Sequence, residues 1–252
     1  SKCQWVVAQA AGTVDFDAIS SNVVIFRVDS SVEHNLGKEG YIIKIEEFSK
    51  SKFTITISGV TDRAILFGVG RLLREMRNDY HVSYASALQT QCYLTLDHQL
   101  IVSKPDYEMR QHQVAYRPKT NSYDAFTPKM MRQEVLDLAL FGTNAIEMIP
   151  PGVDDALQSP NFTIPWLDML TFVSGFCDKL DINVSMWYPA FFKTYDAPEM
   201  LKKAKEHWGL IFSHLRRLDV LFVPGGDPGG RPAKEFFKVV EMQAKYMREN
   251  FF

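Results

Sequence analysis

The stretch Asp219-Val-Leu-Phe-Val-Pro-Gly-Gly-Asp-Pro-Gly-Gly230 decides how the rest of the chain is read. Its apolar run, Val220 to Val223, breaks at Pro224, and glycines then present a single carboxylate, Asp227, before a helix-like segment. A buried strand ending in a glycine-rich turn that carries one acid is how α/β barrels place catalytic groups at the carboxyl ends of their strands. The competing reading is an ordinary βα turn in which Asp227 caps the following helix.

Working outward, the same alternation recurs from Met109 onward. Met109 to Tyr116 reads as a strand, and Pro128 to Leu140 as a helix with Thr127 as N-cap, Pro128 at its first position and Gly142 near its end. Thr143 to Ile149 is a second strand, Ile164 to Leu180 a second helix and Ile182 to Trp187 a third strand. Pro198 to Leu218 and Lys234 to Arg248 are helices on either side of the Val220 strand. Four successive βα units imply parallel strands with right-handed crossovers, either half of an eight-fold barrel or a small doubly wound sheet. A closed barrel needs about eight such units.

The residues before this point read differently. Val23 to Val28, Gly40 to Ile45 and Phe53 to Ile57 are strands, the last with isoleucines alternating with threonines. Asp62 is placed to cap a helix from Arg63 to Arg77, whose Gly68 and Gly70 suggest close approach to the sheet. Tyr93 to Leu96 and Leu100 to Val102 complete a small α+β layer. Ser103 to Tyr107 reads as a linker, because Pro105 interrupts the pattern. The expected fold class is therefore α/β: a small N-terminal α+β domain over residues 1–104, then a partial (β/α)8 TIM barrel over residues 105–252 holding its first four βα units.

Composition bounds the function. The 252 residues carry a formal charge of −2, which argues against a general electrostatic role on nucleic acid or an anionic membrane. No run approaches the ~20 apolar residues of a membrane span. Cys3, Cys92 and Cys177 are too few and too scattered for a disulfide framework or a CxxC metal knuckle, leaving one bridge or three free thiols. Asn161-Phe-Thr163 and Asn183-Val-Ser185 match the N-glycosylation pattern, the first in an expected loop and the second inside an expected strand. Such triplets are common and leave the compartment open, with secreted or lysosomal placed ahead of cytoplasmic. No nucleotide, metal or Ser-His-Asp pattern is present, so no cofactor is expected.

The four units and the domain before them resemble the family 20 β-N-acetylhexosaminidases and family 84 N-acetylglucosaminidases, and share the layout of family 67 α-glucuronidases. Gly40-Tyr-Ile-Ile-Lys-Ile45 and Ile55-Thr-Ile-Ser-Gly-Val-Thr-Asp-Arg-Ala-Ile-Leu-Phe-Gly-Val-Gly-Arg-Leu-Leu73 look like the accessory domain of those enzymes. Asn144-Ala-Ile-Glu-Met-Ile-Pro-Pro-Gly-Val-Asp-Asp155 resembles their second strand and its acidic loop, and Val223-Pro-Gly-Gly-Asp227 resembles the G-G-D-E motif of family 20. The resemblance implies hydrolysis of O-glycosidic bonds, a carbohydrate substrate, and a second half of the barrel as the partner of these strands. It also implies that Asp227 orients the substrate and that Arg110 binds the sugar. One departure matters: Pro228 stands where family 20 has its proton-donating glutamate, and family 84's second aspartate is missing too. A non-catalytic carbohydrate-binding or scaffold protein on the same fold is therefore the alternative.

Glycosidic cleavage usually needs two carboxyl groups. Asp227 is one candidate. Glu147, inside a strand otherwise made largely of apolar residues, is the other: facing inward it suits acid work, and facing outward it is a charge paired with a helix. Arg110 offers a bidentate donor for hydroxyls or a carboxylate, with His112 on its face by alternation. Arg117 falls at the carboxyl end of the first strand. Asp154 and Asp155 can bind sugar hydroxyls or form a solvated turn. Trp187 and Tyr188 end the third strand as stacking platform or core, and Arg231 lies near Asp227. Without the other strands, half a barrel has an open edge, and residues 1–252 alone are expected to turn over little or no aryl glycoside.

Overall fold

A computed structural model describes residues 5–9, 22–32, 36–49, 52–81, 89–94, 100–115, 122–153, 159–190, 192, 194–225 and 230–251. They form a mixed α/β structure in two compact units, one of Ser1–Glu108 with Ala139–Gly142, the other of Met109–Leu138 with Thr143–Phe252.

In the first unit, β1 (Trp5–Gln9), β2 (Asn22–Val28), β3 (Tyr41–Ser49), β4 (Lys52–Gly59) and β7 (Leu100–Ser103) form a mixed sheet in the order β1-β2-β4-β3-β7. β1, β2 and β4 run parallel, while β3 is antiparallel to both β4 and β7. Helix α1 (Asp62–Glu75) packs on this sheet through Ala64, Ile65, Phe67 and Leu72. A Cβ on Gly68 would lie 2.5 Å from Ile57 Cγ2, so the glycine is what lets helix and sheet meet there.

Two details of α1 differ from the sequence expectation. The cap of α1 is Thr61 rather than Asp62: its Oγ1 accepts from the Ala64 amide at 3.1 Å. The helix also stops at Glu75, because Met76–His81 (β5) pairs antiparallel with Gln89–Leu94 (β6), a partner that helical periodicity cannot reveal.

The second unit holds β8 (Gln111–Ala115), α2 (Pro128–Leu140), β9 (Ala145–Ile149), α3 (Trp166–Lys179), β10 (Asn183–Trp187), α4 (Pro198–Phe212), β11 (Val220–Phe222) and α5 (Ala233–Asn250). Thr127 Oγ1 accepts from the Met130 amide (3.3 Å), and Gly142 closes the end of α2 at φ +99°. Helix α4 ends at Phe212, six residues short of the expected Leu218. Side chains of α3 hold the turn that follows: Thr171 Oγ1 donates to His214 O (2.7 Å), and Ser174 Oγ accepts from the Arg216 amide (3.0 Å).

All four strands of this sheet are parallel, in the order β11-β10-β9-β8. Sequential order with right-handed crossovers puts every helix on one face. A doubly wound sheet reverses its order midway, and this one does not. Val114, Ile146, Met148, Val184 and Met186 are buried, and they share one face by alternation. His112 lies on the same face, and its Nε2 pairs with Tyr123 Oη (2.8 Å), which donates to Glu134 of α2 (3.2 Å). That marks it as the helix-covered face.

Candidate functional site

The opposite face of the parallel sheet carries a row of polar side chains. In register, Gln113 of β8 pairs with Glu147 of β9, and Glu147 with Ser185 of β10. Paired positions in a parallel sheet lie about 4.8 Å apart with side chains on the same side, so the three form a polar row. Gln113 Nε2 donates to Glu147 Oε1 at 2.6 Å. Glu147 is 5% exposed and Ser185 1%. Ser185 Oγ has no hydrogen-bond partner among the described residues. A buried carboxylate beside an unsatisfied hydroxyl is costly, and such costs concentrate at functional positions.

One layer nearer the carboxyl ends, Trp187 pairs in register with Phe222. Trp187 is buried, while Phe222 is half exposed. Sequence reasoning missed Phe222, because only the register sets it beside Trp187. Tyr188 faces the other way. Its hydroxyl lies 2.5 Å from His207 Nδ1 on α4 and its ring packs against Phe212, so it belongs to the helix-side core. Burial raises the Tyr188 hydroxyl above its ordinary value and lowers His207 below its own.

Arg231 binds protein rather than open space. Its guanidinium reaches the carbonyls of Ala190 and Phe192 in the loop after β10 and lies 5.1 Å from the centre of the Tyr195 ring. It thereby fastens the segment after β11 to the segment after β10. Asp227, Arg117, Asp154 and Asp155 lie outside the described residues.

Arg110 sits at the amino end of β8, where its amide donates to Asn144 Oδ1 (2.8 Å) and its carbonyl accepts from the Asn144 amide (3.1 Å). Five strand positions, roughly 16 Å, separate it from the carboxyl end of β8. The structure thus brings Glu147 and Trp187 onto one face, sets His112 and Tyr188 on the other, and leaves Arg110 at the far end.

The amino ends are stitched separately. Arg217 donates through Nε and Nη2 to the Asp219 carboxylate (2.7 and 3.1 Å), through Nη1 to Asp181 (3.0 Å) and through Nη2 to Asn183 (2.9 Å). Asp219 Oδ2 also accepts from the Val184 amide at 2.7 Å. These bonds, led by the one to Asp219, raise the Arg217 guanidinium further above its ordinary value. Removing the hub with Arg217→Ala leaves a half-buried carboxylate without its cation, and is expected to cost about 2–3 kcal/mol in urea unfolding. An unchanged midpoint would show the cluster to be passive.

Asn183, with its carboxamide in this network, is half-buried at the start of a strand, whereas Asn161 lies exposed in a turn. Cys177 is a buried free thiol, pushed up to about 12 chiefly by burial. Among the described residues no group of three His, Cys, Asp or Glu can hold a metal ion, and no helix is long and apolar enough to cross a membrane.

His207 supplies a pH dependence of its own. Because its folded value is depressed, the unfolded chain binds the extra proton, so its contribution is complete above about pH 6.5 and is lost as pH falls below that. His207→Gln is expected to flatten the acid limb of stability measured between pH 7 and pH 5, and an unaltered limb would rule this out.

No family model matches the chain, and no curated protein matches it. Among solved structures, the β-N-acetylhexosaminidase of Bacteroides fragilis NCTC 9343 aligns over 91% of this chain and 51% of its own, with a TM-score of 0.54 at 8% identity. The GH20 exo-β-N-acetylglucosaminidase of Vibrio harveyi, solved with N-acetylglucosamine, aligns over 89% of this chain and 42% of its own, with a TM-score of 0.50 at 10% identity. The chain therefore spans about half or less of the structures it matches, and what it shares with them is a glycosidase-like α/β fold.

Proposed function

We propose that this chain is part of a carbohydrate-active hydrolase that cleaves O-glycosidic bonds in oligosaccharides, polysaccharides or glycoconjugates. Residues 1–104 serve as its accessory domain and residues 105–252 as the first half of a (β/α)8 barrel. The observation that carries the reading is Glu147: a buried carboxylate, held by Gln113, on the face of the sequentially ordered parallel sheet opposite the one that carries His112 and its contact to α2. In a closed barrel that face is the interior.

On this reading Glu147 is the acid–base carboxyl group and Asp227 orients the sugar or stabilises positive charge on it, as the two-carboxylate chemistry of glycosidases requires. Trp187 and Phe222 offer apolar ring surface to the sugar, while Arg117, Asp154 and Asp155 on the strand-end loops bind hydroxyls. Arg231 holds the loops in place. Strands from a second half of the barrel pair with the free edges of β8 and β11. The exposed Asn161 turn fits a secreted or lysosomal compartment.

Pro228, in the position of the family 20 glutamate, favours a second reading: a protein that binds carbohydrate without cleaving it. Asp227→Asn in the full-length protein separates the two. Turnover of aryl glycosides that falls about a hundredfold or more, with sugar binding retained, supports the hydrolase. A parent protein that binds sugars and turns over none supports the binder.

A further inference from the structure

Ser185 has a place in the site that its residue type did not announce. Its hydroxyl is almost completely buried and lacks a hydrogen-bond partner among the described residues, although the Glu147 carboxyl group stands on the neighbouring strand in the same row. Buried hydroxyls are rarely left unsatisfied. Paired positions on neighbouring strands lie about 4.8 Å apart, which sets the two side chains next to each other in the row.

We propose that the row of Gln113, Glu147 and Ser185 holds one hydroxyl group between Glu147 and Ser185, supplied by water in the free protein and by the carbohydrate in the complex. This rests on the hydrolase reading for its second half only. The chemistry of the row selects the group. A carboxylate at this position is acceptor-only, with Oε1 already receiving the Gln113 amide, so toward that form the ligand atom donates. Ser185 can donate or accept, and a hydroxyl with one proton and two lone pairs satisfies both neighbours at once. An anion is repelled by Glu147. A hard divalent cation needs more oxygen ligands than one carboxylate and one hydroxyl provide, and an apolar group leaves Ser185 unsatisfied. Ser185 is thereby a ligand-holding residue, with Gln113 positioning the carboxylate beneath it.

The test is a pair of crystal structures of the full-length protein at about 1.5 Å, free and soaked with N-acetylglucosamine, with calorimetric titration of the same sugar into wild type and Ser185→Ala. The expected result is a solvent oxygen within hydrogen-bond distance of both Glu147 and Ser185 Oγ in the free protein. A sugar hydroxyl should replace it in the complex, and Ser185→Ala should bind the sugar about tenfold more weakly. The proposal is overturned if Ser185 Oγ bonds a protein group instead, if no oxygen lies between the two side chains, or if Ser185→Ala binds as wild type does. Where wild type itself binds no N-acetylglucosamine, the comparison with Ser185→Ala falls away: a solvent oxygen in place then supports the water half, and the failure falls on the carbohydrate half and the hydrolase reading it rests on.

Discussion

Glu147→Gln in the full-length protein is expected to lower kcat for an aryl glycoside by about 10²–10⁴-fold while leaving the fold intact. The substitution keeps the shape and keeps an acceptor for Gln113, whose Nε2 donates to Oε1 at 2.6 Å. It removes the proton and the charge that acid–base work requires. Near-UV and far-UV circular dichroism should match wild type, and the melting temperature should hold or rise, because a buried carboxylate is exchanged for a neutral amide. The diagnostic comparison uses two leaving groups. If Glu147 protonates the leaving oxygen, a substrate with an activated phenolate loses far less rate than one with a poor leaving group. Unchanged kcat on both substrates removes Glu147 from the chemistry. A collapsed circular dichroism signal marks it as a residue of the core.

Trp208→Ala is expected to destabilise the second unit by about 3–5 kcal/mol. Trp208 is fully buried on α4. Its ring stacks on Tyr195 at 6.2 Å and 19°, and packs against Tyr246 of α5 at 5.6 Å. One indole thus joins the loop after β10, helix α4 and helix α5. Truncation leaves a cavity that neither helix can fill by a small shift, since Gly209 already brings the two into contact at the Tyr246 hydroxyl. Urea unfolding followed by circular dichroism reads the loss. Trp208→Phe should recover part of it, because a smaller ring fills some of the space. A cost below about 1 kcal/mol would mean that the site collapses freely.

What could be read from the sequence was what local chemistry determines. Thr127, Pro128 and Gly142 mark both ends of α2, because capping and left-handed closure involve residues a few positions apart. Where long-range partners decide, periodicity misleads. Met76 continues the apolar stripe of α1 but belongs to a strand, since Leu94 lies opposite it. The turn after Phe212 is set by Thr171 and Ser174, some forty residues earlier in the chain. The expected strands did not include β1, whose role rests on parallel pairing with β2.

The candidate site divides in the same way. Glu147 was legible as an acid inside an apolar run. Gln113, Ser185 and Phe222 were not, because parallel register is imposed by crossovers and leaves no local mark. Alternation alone grouped His112 with Arg110, yet it is Gln113, one position along β8, that reaches the carboxylate.

The strand order of the second unit also bears on how the protein is made. Each strand pairs with the one synthesised just before it: β9 with β8, β10 with β9 and β11 with β10. A ribosome adding about 5–20 residues per second therefore delivers every new strand to a template that already exists. Assembly can keep pace with synthesis, with no strand waiting for a distant partner. The same order leaves the newest strand unpaired on its outer side until its successor emerges. For those seconds, the edge that the next strand needs is open to any other chain nearby.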